Sequence, residues 1–121
     1  MEYAKICSLI LGIEPQIRSA FVYRSNGEIL AGGMREGIES ILPIDEITKS
    51  VHNTISRWKT RESLYPFLGH GKYSMTEYEK VKRITFPLET HAFLIVSTEI
   101  EVAHNAVIQK ILQLIKSNNI T

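Results

Sequence analysis

Ile17-Arg18-Ser19-Ala20-Phe21-Val22-Tyr23-Arg24, followed by Ser25-Asn26-Gly27 and then Glu28-Ile29-Leu30-Ala31-Gly32, is the stretch on which the fold of this chain turns. Ile17, Ser19, Phe21 and Tyr23 recur at every second position, with Arg18, Ala20, Val22 and Arg24 between them, which is the period of a β-strand. Asn-Gly is the favoured pair for a two-residue type I′ turn, since both central positions need positive φ. The return strand runs from Glu28 to Gly32, and together they predict a β-hairpin.

Upstream, Glu2 to Leu11 predicts a short helix, with Ala4, Cys7 with Ser8, and Leu11 at helical spacing and Gly12 as a terminator before Pro15. Downstream, Pro43 precedes a helix from about Asp45, whose acidic start (Asp45, Glu46) suits the positive end of the helix dipole. Ile47, Val51, Ile55 and Trp58 step by four, four and three, forming one apolar stripe. That helix stops near Lys59 or resumes through Leu64 and Phe67, and Pro66 and Gly69 end it in either case.

Three strands follow. Lys72 to Tyr78 carries Tyr73 and Met75 on one face. Val81 to Leu88 carries Ile84, Phe86 and Leu88 on one face, with Lys82 sharing it at an exposed start. Ala92 to Thr98 is almost wholly apolar, as expected of a central strand covered on both faces. Pro87, unable to donate to a ladder, belongs at an edge, a bulge or a strand end. Thr98-Glu99-Ile100-Glu101 fits a capping box ahead of a last helix, whose Ile100, Ala103, Val107, Ile111 and Leu114, with Ile108, Leu112 and Ile115, make a broad apolar face. The order α-β-β-α-β-β-β-α predicts one α+β domain over residues 1–121, a five-stranded antiparallel sheet with helices on its faces.

This order resembles the roadblock/dynein light-chain domain, of the wider profilin-like class. The stretches that carry the resemblance are Phe21-Val22-Tyr23-Arg24-Ser25-Asn26-Gly27-Glu28-Ile29-Leu30-Ala31 and Phe93-Leu94-Ile95-Val96-Ser97-Thr98-Glu99. Ala31-Gly32-Gly33-Met34-Arg35-Glu36-Gly37 and Glu79-Lys80-Val81-Lys82-Arg83-Ile84-Thr85-Phe86-Pro87-Leu88 are more closely similar to a group of uncharacterised archaeal proteins. The resemblance implies a non-enzymatic interaction or scaffolding module that forms homodimers or heterodimers and docks small GTPases or signalling proteins. Related PAS-type and profilin-like folds imply a second class, small-molecule sensing, with Arg35 and the glycine segment around it at the mouth of the pocket. In roadblock-like proteins the second helix and an edge strand meet a second copy, so Ile47, Val51, Ile55 and Trp58 are the candidate interface. Packing of the same stripe on its own sheet is the alternative.

Composition narrows the remaining classes. At 121 residues the chain is of single-domain size and long enough to bury a core without disulfides or metal. Fourteen basic against thirteen acidic side chains give a net charge of +1, which speaks against a dedicated nucleic-acid partner or an anionic membrane surface. The apolar run Ile6–Ile13 is far shorter than the roughly 20 residues of a membrane span, and one cysteine, Cys7, suits a reducing cytoplasm.

No motif of catalysis or metal binding is present, so neither cofactor nor enzymatic activity is expected. His52, His70, His91 and His104 lie too far apart in sequence for a zinc ligand set. The glycine-dense segment Gly32-Gly33-Met34-Arg35-Glu36-Gly37 is the candidate ligand or partner loop: glycines admit close backbone approach, and Arg35 can pair with a carboxylate or phosphate. It matches no dinucleotide or phosphate-loop fingerprint, and a bulged strand exit is the plainer explanation. Arg57, Lys59 and Arg61, then Lys80, Lys82 and Arg83 with Tyr73 and Tyr78 nearby, form two basic groups. They read as a single-stranded nucleic-acid face or, more simply, as a solvated edge strand guarded against aggregation.

Overall fold

A computed structural model describes residues 2–88 and 91–118. The hairpin joins β1 (Ile17–Arg24) to β2 (Ile29–Met34), around a loop of different type from the one expected. Gly27 N–H donates to Arg24 O at 2.8 Å, and Arg24 N–H to Glu28 O at 2.8 Å, enclosing the three residues Ser25-Asn26-Gly27. Gly27 supplies the left-handed conformation (φ 92°) that such a loop needs at its last position. The Asn26 carboxamide oxygen accepts from Glu28 N–H at 2.9 Å, so the Asn-Gly pair serves the turn through a side chain and one glycine.

The remaining elements are α1 (Tyr3–Leu11), α2 (Ile44–Glu62), a single turn α3 (Tyr65–Leu68), β3 (Ser74–Glu77), β4 (Val81–Pro87), β5 (Ala92–Glu99) and α4 (His104–Ser117). The five strands form one sheet in the order β2-β1-β5-β4-β3, with every neighbouring pair antiparallel. This is the expected α+β architecture. The apolar β5 sits at its centre, with Leu94 opposite Val22 on one side and Phe86 on the other.

Helices cover both faces. Ala20, Val22, Ile84, Phe86, Leu94 and Val96 pack with Ile6, Cys7 and Ile10 of α1 and Val107, Ile108, Ile111 and Ile115 of α4. Tyr23, Phe93 and Ile95 pack with Val51, Ile55 and Trp58 of α2. Burying each of the Val, Ile, Leu and Phe side chains among these contributes about 1.5–3 kcal/mol before entropy is counted. The stripe of α1 is therefore Ile6, Cys7 and Ile10, while Ala4 and Ser8 face outward.

Local departures each have a physical reason. Ile17 joins the α1–α4 face, not the face of Phe21 and Tyr23, because β1 shifts register against β5 between Ile17 and Ser19 and a bulge reverses the alternation. Pro66 does not end a helix; it stands in the first turn of α3, where a missing N–H costs nothing, and Gly69 (φ 86°) closes that turn. Thr98 and Glu99 belong to β5 rather than to a capping box: Thr98 Oγ1 donates to Glu99 O at 2.9 Å, and α4 begins only at His104, with Ala103 as an uncapped start.

Lys82 overturns two expectations together. β4 is flanked by β5 and β3, so it is not an edge strand, and Lys82 is only 6% exposed. Its ammonium donates to Val102 O and to His104 Nδ1, each at 3.0 Å, with Glu77 Oε1 at 4.0 Å. A buried cation needs such partners, and they come from the turn into α4.

Candidate functional site

The glycine-dense segment runs off the end of β2, and its residues have separate tasks. Gly32 (φ 104°) lies opposite Phe21, and a Cβ there would stand 2.1 Å from Ala20 O, so only glycine fits. Gly33 and Gly37 face open space, Gly37 with φ 81°, and Glu36 is exposed. The Arg35 guanidinium is turned inward rather than toward a ligand. Nε donates to Ile17 O at 2.8 Å, and Nη2 donates to Glu14 O at 2.9 Å and to Leu11 O, clamping the α1–β1 connection. The anion-binding task expected of Arg35 is thus taken by main-chain carbonyls, and neither depression described below includes this segment.

On α2, Val51, Ile55 and Trp58 are 2%, 4% and 2% exposed against the chain's own sheet, and Ile47 packs beside them. A contact between copies at α2 has to use what surrounds this stripe. Apolar side chains do stand free there: Ile41 just ahead of α2 and Ile44 at its start, then Leu64, Phe67 and Leu68 beyond its end, with Phe67 83% exposed. Beyond α3 the chain enters β3, which pairs with β4 and leaves its outer edge open, flanked by exposed Tyr73 and Tyr78.

Between α2 and the β3–β4 pair lies a depression of about 360 Å³ lined by Thr54, Arg57, Trp58, Arg61, Ser74, Thr76, Tyr78, Arg83 and Thr85. Two arginines a turn apart on α2 and one from β4 meet here, so the arginines of the two basic groups converge in space while their lysines do not. Trp58 Nε1 donates to Thr85 Oγ1 at 2.9 Å, fixing the back wall, and the Arg61 guanidinium lies 4.8 Å from the Trp58 ring centre as a cation–π pair. Arg57 Nη2 reaches Thr54 Oγ1 at 3.5 Å. Arg83 donates to Ser50 Oγ and is hydrogen-bonded to Tyr78. Burial pushes the Arg83 guanidinium below its ordinary value and the Arg57 cation adds to this, while Tyr78 and Tyr23 oppose it. Burial likewise pushes the Tyr23 phenol up, partly offset by Arg83.

The hydroxyls of Ser74, Thr76 and Thr85 were outside the reach of sequence reasoning, because nothing marks a serine or threonine of a strand as pocket-lining until the partner helix is placed. A second, wider groove of about 1630 Å³ runs between α3 and α4, past Tyr65, Leu68, Phe93 and Leu112. Its charges, Glu62 against Lys72, Lys110 and Lys116, are of mixed sign and do not converge on one chemistry.

The histidines are dispersed. His52 covers Gly27, His70 packs on Tyr65 with ring centres 4.9 Å apart, and His104 holds Lys82. Among the described residues no group of three or more His, Cys, Asp or Glu side chains is placed to hold a metal ion, and no helix is long and apolar enough to cross a membrane. Cys7 is 2% exposed, and burial pushes its thiol up to about 11.

The fold is that of known roadblock domains. The chain is similar to a Roadblock/LC7 domain from Streptomyces avermitilis, with a TM-score of 0.72 and 13% identity over 98% of this chain and 96% of that one. It is similar to MglB of Myxococcus xanthus at a TM-score of 0.68 and 15% identity, over 98% of both chains. It is also similar to the gliding protein MglB of Thermus thermophilus at 0.62 and 11%, over 93% of this chain and 87% of that one. No curated protein matches the chain by sequence. A match over residues 1–118 nonetheless places it in a sequence family: the chain belongs to the family of unknown function DUF6659.

Proposed function

We propose that this chain is a non-enzymatic, roadblock-like interaction module over residues 1–121 that works as a homodimer in the cytoplasm and regulates a small GTPase or another signalling protein. The observation that carries this is the open outer edge of β3 beside the exposed side chains of Phe67, Leu68, Tyr73 and Tyr78. An unpaired strand edge is a ready template for another strand, and apolar area left exposed next to it is the usual mark of a protein contact. A second copy pairing its own β3 about a two-fold axis continues the sheet and brings the two α2 helices side by side. The apolar start of one α2 then meets the apolar α3 segment of the other, as a self-complementary interface requires.

The likeness to MglB supports an assembling protein, since one MglB structure shows a tetrameric arrangement. The exposed Glu36 and the open surroundings of Gly37, at the far edge of the sheet, leave the glycine segment as a partner loop. Kinship with archaeal proteins rests on the Ala31–Gly37 and Glu79–Leu88 stretches and belongs to the same proposal.

Size-exclusion chromatography with light scattering tests the foundation. A dimer that Phe67→Glu or Ile44→Glu converts to a monomer is the expected result, and a strict monomer of the unaltered chain at high concentration overturns the proposal.

The second class, a small-molecule sensor, is favoured by one observation, the arginine-lined depression against α2. It does not lie at Gly32–Gly37, where the sequence placed its mouth.

A further inference from the structure

We propose that the depression between α2 and the β3–β4 pair is a binding site for a phosphate group carried on a small molecule. Arg57, Arg61 and Arg83 line it, and no acidic side chain does. Among the described residues none of the three takes part in an ion pair. Arg83 is the decisive one. It is half-buried, its hydrogen bonds go to the hydroxyls of Ser50 and Tyr78, and Arg57 and Arg61 line the same depression. A half-buried cation grouped with two others, with no acid lining the space, is unfavourable until an anion balances it.

The donors favour phosphate over carboxylate. Guanidinium forks match phosphate oxygens two at a time, and three forks offer more N–H groups than the two oxygens of a carboxylate accept. The hydroxyls of Ser74 and Thr76 line the same space and make no hydrogen bond with the described residues, so they are available as further donors. The wall is held in place before any ligand arrives: Thr85 fixes the Trp58 indole, and Trp58 carries Arg61 on its face. At about 360 Å³ the space is at the small end of ligand pockets, which suits a small phosphate ester rather than a polymer.

The site shares Tyr78 and the α2–β3 surface with the proposed dimer contact, so oligomeric state and phosphate binding are read by separate measurements on the same samples. The test is titration of the ¹⁵N-labelled chain with inorganic phosphate at constant ionic strength, followed by amide shifts and calorimetry, with light scattering on the same samples. Shifts confined to α2 around Thr54–Arg61 and to β3 and β4, absent with chloride, are expected. Arg83→Gln should weaken phosphate binding about tenfold or more. Because that residue is half-buried, R57Q/R61Q serves as a second variant, with the same expected loss and with its fold checked without ligand by amide shifts unchanged outside α2, β3 and β4. Adenosine 5′-monophosphate should bind at least as well as phosphate.

Equal shifts with chloride, affinity unchanged in R57Q/R61Q, or acetate binding as tightly as phosphate would each overturn the proposal. So would an oligonucleotide that binds far more tightly than the monophosphate, since that makes the surface a polymer site.

Discussion

The indole nitrogen of Trp58 donates to the hydroxyl oxygen of Thr85 across 2.9 Å, joining α2 to β4 through the middle of a buried layer. Both groups are nearly inaccessible, at 2% and 9% exposed. Thr85→Val keeps the shape and removes the acceptor, leaving a buried N–H without a partner. The expected loss is about 1–3 kcal/mol of unfolding free energy, measured by denaturant titration. A double-mutant cycle with Trp58→Phe should show that the two losses are not additive.

Arg35 is expected to matter for folding and not for ligand binding. Its three bonds to the carbonyls of Leu11, Glu14 and Ile17 hold the chain between α1 and β1. Arg35→Gln should cost about 1.5–3 kcal/mol, the range for hydrogen bonds made by a charged donor. Arg35→Lys should recover only part of this, because an ammonium has no planar fork. Thermal melts of both variants with and without phosphate check the two halves: lower stability, unaltered phosphate response.

The two neighbouring glycines should behave oppositely. Gly32→Ala places a Cβ against the Ala20 carbonyl at a positive φ and should cost more than about 2 kcal/mol. Gly33→Ala meets nothing within 4 Å and should be neutral or stabilising by about 0.5–1 kcal/mol, since alanine gives up less backbone freedom in a strand. Chemical denaturation of the pair decides it.

Cys7 should resist alkylation in the folded chain and react at once in denaturant. Its thiol, normally near 9.0, is pushed up to about 11 by burial, so folding disfavours the thiolate. The unfolded chain releases this proton first as pH rises. Stability from Cys7 is therefore complete below about pH 9 and is lost as pH climbs toward 11, by about 2–3 kcal/mol at most. Cys7→Ala should flatten that part of the stability–pH curve, even if it lowers stability overall.

His104 should carry its proton on Nε2. Its Nδ1 accepts from the Lys82 ammonium at 3.0 Å, which only an unprotonated ring nitrogen can do. Imidazole ¹⁵N spectra report the tautomer directly, and Lys82→Met should release this preference.

Period and composition alone determined the five strands, their hairpin, the central place of the apolar Ala92–Thr98 run, and the stripe of α2. These are local: alternation, helical spacing and turn chemistry act over a few residues, and they agree with the sheet that forms. Other features depended on residues far apart in the chain. The bulge that reverses Ile17 arises only when β1 pairs with β5. Lys82 is exposed or buried according to whether Val102 and His104 are there to receive it. Asn-Gly serves more than one hairpin loop, and the flanking strand register chose among them. Arg35 turned to main-chain carbonyls instead of toward a ligand, and Arg83 came to line a depression instead of a solvated edge strand. Arg35 meets carbonyls because the α1–β1 connection passes the end of β2, and Arg83 meets Arg57 and Arg61 because α2 lies across β4; both are properties of packing rather than of any one segment.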